Sequence, residues 1–293
     1  MDSAMVDQVR TFNRTVMQRI GALSDGFLGR RRPMGEARLL WEIGPDGAEL
    51  RALRTRLDLD SGYVSRLLRS LEADGLVTVA PSDADRRTRT ARLTRAGLAE
   101  RRVLERRSDD VARSFLEPLS ASQRERLVGA MDTVQRLLTA ALVEIRPVDP
   151  THPDARLTIG AYFAELNRRS DSGFDPAAGM SAEPHELRPP AGLLLVAYLR
   201  AEPIGCGAVK HHDGAPSEIK RMWVADRARG LGIGRRLLAE LEAEAARSGA
   251  RGARLETNRA LTEAIAMYRS AGYVEVPAFN DEPFAHHWFE KRL

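Results

Sequence analysis

Glu218-Ile-Lys-Arg-Met-Trp-Val224, followed five residues on by Arg229-Gly-Leu-Gly-Ile-Gly234, carries most of the information in this chain. A strand-like run passes through a short loop into a glycine-rich turn. A helical pattern follows, with Leu237, Leu238 and Leu241 apolar and Arg235, Arg236, Glu240, Glu242 and Glu244 polar. Glycines at 230, 232 and 234 leave backbone N–H groups unshielded at a helix N-terminus. The partial positive charge there attracts phosphate. Arg229 offers a direct charge contact to the same anion. Spacing narrows the choice of ligand. A P-loop ends in Gly-Lys-Ser/Thr, whereas this turn ends in Gly234-Arg235-Arg236. A dinucleotide fingerprint is Gly-x-Gly-x-x-Gly, whereas here the glycines run Gly230-x-Gly232-x-Gly234.

The bulk properties set the frame. A chain of 293 residues is long for one domain and comfortable for two. Apolar residues make up 43%, enough for ordinary cores. The single cysteine, Cys206, excludes an intramolecular disulfide and suits a reducing compartment, so a cytoplasmic protein is expected. The opening residues lack a basic start followed by an apolar run, so no leader peptide is read there. No apolar stretch approaches membrane-spanning length, and no membrane partner is expected. The formal net charge is +4, and all of that excess lies in residues 1–145, which suits an anionic partner for the first half.

Helical periodicity dominates up to about residue 142, and strand-like and helix-like runs alternate thereafter. Between them lie Pro147, Pro150 and Pro153, which cannot continue a helix. The expected division is therefore residues 1–145 and 146–293, with 144–153 as the linker. In the first half, Val6, Val9, Phe12, Val16 and Ile20 line one face of a first helix. Pro33 opens a second, and Gly44-Pro45 ends it. Residues 48–57 form a third. Asp60 or Ser61 caps a fourth, which Gly75 stops. Two strands, 76–80 and 88–93, make a hairpin with a polar tip, and two long helices follow over 94–116 and 122–142.

Two short helices followed by a charged hairpin form a DNA-reading arrangement. In the fourth helix Val64, Leu67, Leu68 and Leu71 make the buried stripe, leaving Ser61, Tyr63, Ser65, Arg66 and Arg69 to face outward. Short hydroxyls and arginines near a helix N-terminus suit base-edge and phosphate contacts. Arg86, Arg87 and Arg89 at the hairpin suit a minor groove or a phosphate. This half resembles the MarR family of winged helix-turn-helix regulators. The resemblance rests on Gly62-Tyr-Val-Ser-Arg-Leu-Leu-Arg-Ser-Leu-Glu-Ala-Asp-Gly-Leu76 and on the wing Asp83-Ala-Asp-Arg-Arg-Thr-Arg-Thr-Ala-Arg-Leu-Thr94. It implies a mainly α domain, a double-stranded DNA operator, and a homodimer built from the first helix and the last two.

In the second half, Arg229-Gly-Leu-Gly-Ile-Gly234 matches Arg/Gln-x-x-Gly-x-Gly/Ala, the pyrophosphate motif of the GNAT acetyltransferases. Gly205-Cys-Gly-Ala-Val209, Leu255-Glu-Thr-Asn258 and Thr262-Glu-Ala-Ile-Ala-Met-Tyr-Arg-Ser-Ala-Gly-Tyr273 resemble that family's neighbouring strands and last helix. The resemblance implies an α/β GNAT acyltransferase fold with acetyl-CoA as acetyl donor. Met222, Trp223 and Val224 would pair with the pantetheine arm. Arg229, Gly230, Leu231, Gly232, Ile233 and Gly234 would hold the pyrophosphate, and Asn258 would touch the far side of the cofactor. Tyr268 stands where the family places its general acid, and Glu218 where some members carry a catalytic Glu. Cys206 reads as a small buried residue. His286 and His287 point to opposite faces of a strand, so no metal site is expected.

The expected protein is thus a DNA-binding regulator fused to an N-acetyltransferase for a primary amine, a small molecule before a protein lysine. The alternative keeps the second half as an acyl-CoA or ligand sensor.

Overall fold

The computed structural model describes residues 2–20, 28, 32–81, 88–170, 173, 175 and 182–293. The chain forms two compact units, Met1–Gly129 and Ala130–Leu293. The first contains α1 (Ser3–Arg19), α2 (Met34–Ile43), β1 (Ala48–Glu49), α3 (Leu50–Leu57), α4 (Ser61–Ala73), β2 (Val77–Pro81), β3 (Arg89–Leu93) and α5 (Arg95–Leu116). The division falls inside α6 (Ala121–Ala141).

Local chemistry sets these boundaries. Pro33 precedes the first turn of α2, and Gly44 ends it at φ 67°. The Asp60 carboxylate accepts from the Tyr63 N–H at 2.9 Å and so caps α4. Val64, Leu67, Leu68 and Leu71, spaced along one helical face, are buried with Leu39, Leu40 and Ile43 of α2. The Thr94 hydroxyl caps α5 by accepting from Gly97 N–H at 3.0 Å. Gly97 has no room for a side chain, because a Cβ there would lie 2.0 Å from the Leu76 carbonyl oxygen. One detail differs from the sequence reading. Ala48 and Glu49 are not helical; they pair with Ala91 and Thr90 and cover the open edge of β3. The expected apolar face of α1 is present, and among the described residues α1 buries none of its side chains. Val6, Val9 and Phe12 are exposed, as are Val128, Met131, Leu137 and Leu138 on α6.

The second unit is a seven-stranded sheet among the described residues, in the order β4-β5-β6-β7-β8-β10-β9. Its strands are β4 (Val143–Pro147), β5 (Gly192–Leu199), β6 (Glu202–Lys210), β7 (Ser217–Val224), β8 (Gly252–Thr257), β9 (Val274–Val276) and β10 (His287–Arg292). Its helices are α7 (Pro153–Arg169), α8 (Ile233–Arg247) and α9 (Thr262–Ser270). The segment read as a linker is built into the fold. β4 pairs with β5 from Val143↔Leu199 to Pro147↔Leu195, and Pro153 is the first residue of α7. Alternate residues of β5 serve two cores. Leu194, Val196 and Tyr198 pack with Ala155 and Ile159 of α7, while Leu195 and Ala197 join Leu237, Leu238 and Leu241 of α8. Among the described residues no helix is long and apolar enough to cross a membrane.

Candidate active site

The site begins where the sheet opens. β7 and β8 run parallel but pair only at Ser217↔Ala253 and Glu218↔Arg254. On its other side β7 stays paired with β6 as far as Gly205↔Val224. That ladder carries a bulge, because its register shifts between Cys206↔Trp223 and Ala208↔Lys220. Arg221 takes the left-handed backbone at φ 56°, a strained choice for a side chain of this size. Opposite the bulge, a Cβ on Gly207 would sit 2.7 Å from Met222 Sδ and 2.9 Å from Leu241 Cδ1. A bulge bends its strand, and here it coincides with the separation of β7 from β8.

After β7 the chain turns through Gly230 and Gly232, at φ 77° and 74°. Nothing lies near where their side chains would be, so backbone conformation, not space, favours glycine. Gly232 caps α8 and accepts the first helical bond from Arg236 N–H at 3.1 Å. The amides of Ile233, Gly234 and Arg235 thus lie in the first turn, where no helical acceptor exists for them. A cavity of about 520 Å³ runs along this turn. Met222, Trp223, Val224, Arg229, Gly230, Gly232, Ile233 and Gly234 line it, which brings these sequence-predicted residues together. Leu231 instead packs against the core.

Arg229 is not a free cation awaiting an anion. Its Nη2 reaches both oxygens of Glu165 at 2.6 Å, and its Nη1 lies 2.8 Å from Asp226. Glu165 also accepts from Trp223 Nε1 at 2.9 Å and from Arg169 at 3.2 Å, and Arg169 pairs with Glu263 at 2.7 Å. Only 7% of Glu165 is exposed. Burial pushes its carboxyl up, but Arg229, Arg169 and Trp223 together outweigh that and hold it below the ordinary range. Sequence reasoning missed this hub, for α7 carries no motif.

A second, smaller cavity of about 90 Å³ adjoins the first, and Tyr162, Leu166, Met222, Leu261 and Ala264 line both. Tyr268 lines the smaller one and is 5% exposed. Its ring packs on Tyr273 and Phe289 at 5.9 and 6.2 Å. Burial, then the charge of Glu256, raises its phenol above the ordinary value. Glu218 lines neither cavity. It is buried at the β7–β8 junction, held by Arg254 at 2.9 Å, His212 at 3.4 Å and Lys220 at 3.6 Å. Burial raises its carboxyl, yet Lys220, His212 and Arg254 bring the net shift below the ordinary value. Such a carboxylate is a weak base. Asn258 lines the smaller cavity rather than the larger one. Its amide is spent on the loop, donating to Phe284 O and accepting from Ala260 N–H, both at 2.9 Å. Burial pushes the Cys206 thiol up to about 12, which leaves it unreactive. His287 pairs with Glu275 at 2.6 Å, and no described cluster of three His, Cys, Asp or Glu residues is placed to hold a metal ion.

In the first unit, Ser61, Ser65, Arg66 and Arg69 share the exposed face of α4, and Arg89 is exposed at the start of β3. Tyr63 departs from the expectation. It is half-buried against the core, and a Cβ on Gly35 would come within 2.7 Å of its hydroxyl. Arg86 and Arg87 lie outside the described residues.

Residues 190–275 match the acetyltransferase (GNAT) domain family, and residues 31–88 match the MarR family. The chain therefore joins a MarR-family segment to a GNAT domain. A protein named IAA acetyltransferase from Azospirillum brasilense is 42% identical over 82 residues, which cover 28% of this chain and 54% of that protein. The match thus spans about half the length of that relative. Among solved structures, a GNAT-family acetyltransferase from Staphylococcus aureus is 15% identical, with a TM-score of 0.44, covering 51% of this chain and 98% of the other. A GNAT-family acetyltransferase from Elizabethkingia anophelis, solved with acetyl-CoA bound, is 19% identical with a TM-score of 0.36, covering 52% of this chain and 99% of the other.

Proposed function

We propose that the second unit transfers an acetyl group from acetyl-CoA to a small primary amine, and that the first unit binds operator DNA as a homodimer. One observation carries the enzymatic reading. The unpaired stretch of β7 and the N-terminus of α8 line one cavity, which offers a strand edge for an amide-bearing arm beside a cradle for its pyrophosphate. The seam between the two cavities is where the thioester and the amine would meet. A β7 amide facing the cavity would polarise the thioester carbonyl. The amine attacks the carbonyl carbon, the C–S bond breaks, and Tyr268 gives its proton to the leaving thiolate. No covalent enzyme intermediate is needed, in keeping with the buried, raised thiol of Cys206. The test is calorimetric titration of the full chain with acetyl-CoA, followed by an assay for free thiol on adding amines. Saturable binding with amine-dependent thiol release is expected; a chain that binds no acetyl-CoA would overturn the reading.

The exposed arginines of α4 and the exposed apolar residues of α1 and α6 support a DNA-binding dimer. Arg66 lies over the Tyr63 ring at 5.6 Å, which steadies its guanidinium on the outward face. Arg66→Ala is expected to weaken operator binding by about 1–3 kcal/mol. A gel-shift titration at fixed salt measures this, and an unchanged affinity would remove Arg66 from the interface.

A further inference from the structure

We propose that Glu256 receives the ammonium group of the acceptor, and that the acceptor is an amine without an α-carboxylate. This rests on the acetyltransferase reading above. Glu256 stands on β8, opposite Trp288 of β10, and lines the smaller cavity. Its side chain is 9% exposed. Lys220 Nζ donates to its Oε1 at 2.5 Å, but its Oε2 is buried with no hydrogen-bond partner among the described residues. A carboxylate oxygen shielded from water and left unpaired is costly, and a bound cation removes that cost.

The surroundings select the rest of the molecule. Beyond Glu256 the cavity wall includes Phe163, Leu166, Met222, Leu261 and Phe284, with Glu282 as its other carboxylate, so a carbon skeleton without negative charge suits it. The two cations that line it are already engaged. Lys220 bridges Glu256 and Glu218, and Arg221 donates to the Ala182 carbonyl while stacking over Phe163 at 5.2 Å. Neither is placed to receive a substrate carboxylate without losing those partners. Glu218 then becomes a positioning residue, holding Lys220 and through it Glu256.

The proton balance closes. The ammonium gives one proton to Glu256 Oε2 and attacks as the free amine. Once the C–S bond breaks, the thiolate takes the Tyr268 proton, and the nitrogen's second proton restores that phenol through solvent. The proton on Glu256 also leaves to solvent. The products are the amide, the free thiol and one proton.

The test uses the full chain with acetyl-CoA and two matched pairs, butylamine against norvaline and 2-phenylethylamine against phenylalanine. A short peptide with a blocked N-terminus and one lysine forms a third arm. Each free amine is expected to exceed its amino acid in kcat/KM by roughly 10-fold or more, the worth of not burying an unmatched charge. Glu256→Gln is expected to lower kcat/KM for the amine by roughly 10- to 100-fold, the loss of one charge-assisted hydrogen bond, with the acetyl-CoA Kd held within about twofold. Glu256→Asp, which keeps the charge but withdraws it by one methylene, is expected to fall between. Faster turnover of the amino acids, or of the peptide, would overturn the acceptor class. Wild-type amine kinetics in Glu256→Gln would overturn the role of Glu256, and so would a chain that binds acetyl-CoA but acetylates none of these amines. A chain that binds no acetyl-CoA points instead to failure of the acetyltransferase reading beneath it.

Discussion

Tyr268→Phe is expected to lower kcat by about 10²- to 10³-fold, the usual worth of a positioned proton donor, while leaving acetyl-CoA affinity within about twofold. The phenol lines the smaller cavity, and the ring is held by Tyr273 and Phe289. Phenylalanine keeps that packing and removes only the proton. Burial, and then the charge of Glu256, places the phenol above its ordinary value of 10.0. The phenol therefore keeps its proton at neutral and mildly alkaline pH, and Tyr268 should impose no alkaline limb on the rate below about pH 10. The stability consequence has the same sign. A raised folded value means that the contribution of Tyr268 is fully present below the ordinary phenol pKa and is lost as pH rises beyond it. Single-turnover kinetics across pH, with thermal unfolding as a control, measures both. A variant that turns over like wild type would remove Tyr268 from the reaction.

What could be read from the sequence, and what could not, follows from where each signal lives. The glycine-rich turn was legible because Gly230 and Gly232 need left-handed backbone, and only glycine takes it at little cost. The α4 stripe and its Asp60 cap were legible for the same kind of reason, being local and periodic. α7 was hidden because its buried face includes Thr158 and Glu165, which break the apolar period. β4 was hidden by Pro147, which reads with Pro150 and Pro153 as a linker yet is tolerated at an edge strand. The buried carboxylates were harder still. Glu218 and Glu256 lie on adjacent parallel strands and share Lys220. Nothing in their spacing along the chain says which carboxylate is fully paired and which keeps an open oxygen.

The network around Glu165 makes a prediction of comparable size. Glu165→Ala is expected to destabilise the second unit by about 3 kcal/mol at pH 7, the low end for breaking a buried ion pair. The low end applies because Arg229 is 40% exposed and keeps Asp226 as a partner. Arg169 keeps Glu263 likewise. Trp223 is worse placed, since its indole N–H donates to Glu165 Oε2 beside the larger cavity. The pH dependence identifies the carboxylate itself. Although burial works against it, the net shift holds Glu165 below its ordinary 4.5. A depressed folded value means that its contribution is fully present above the unfolded value and is lost as pH falls through the folded one. Wild type and Glu165→Ala should therefore differ most above the ordinary value of 4.5, and the gap should narrow progressively as pH falls below it. Urea unfolding from pH 7 to pH 3 measures the gap at each step. A gap that stays constant down to pH 3 would mean that Glu165 acts through its packing, and that its charge does not hold Trp223 and Arg229 at the groove.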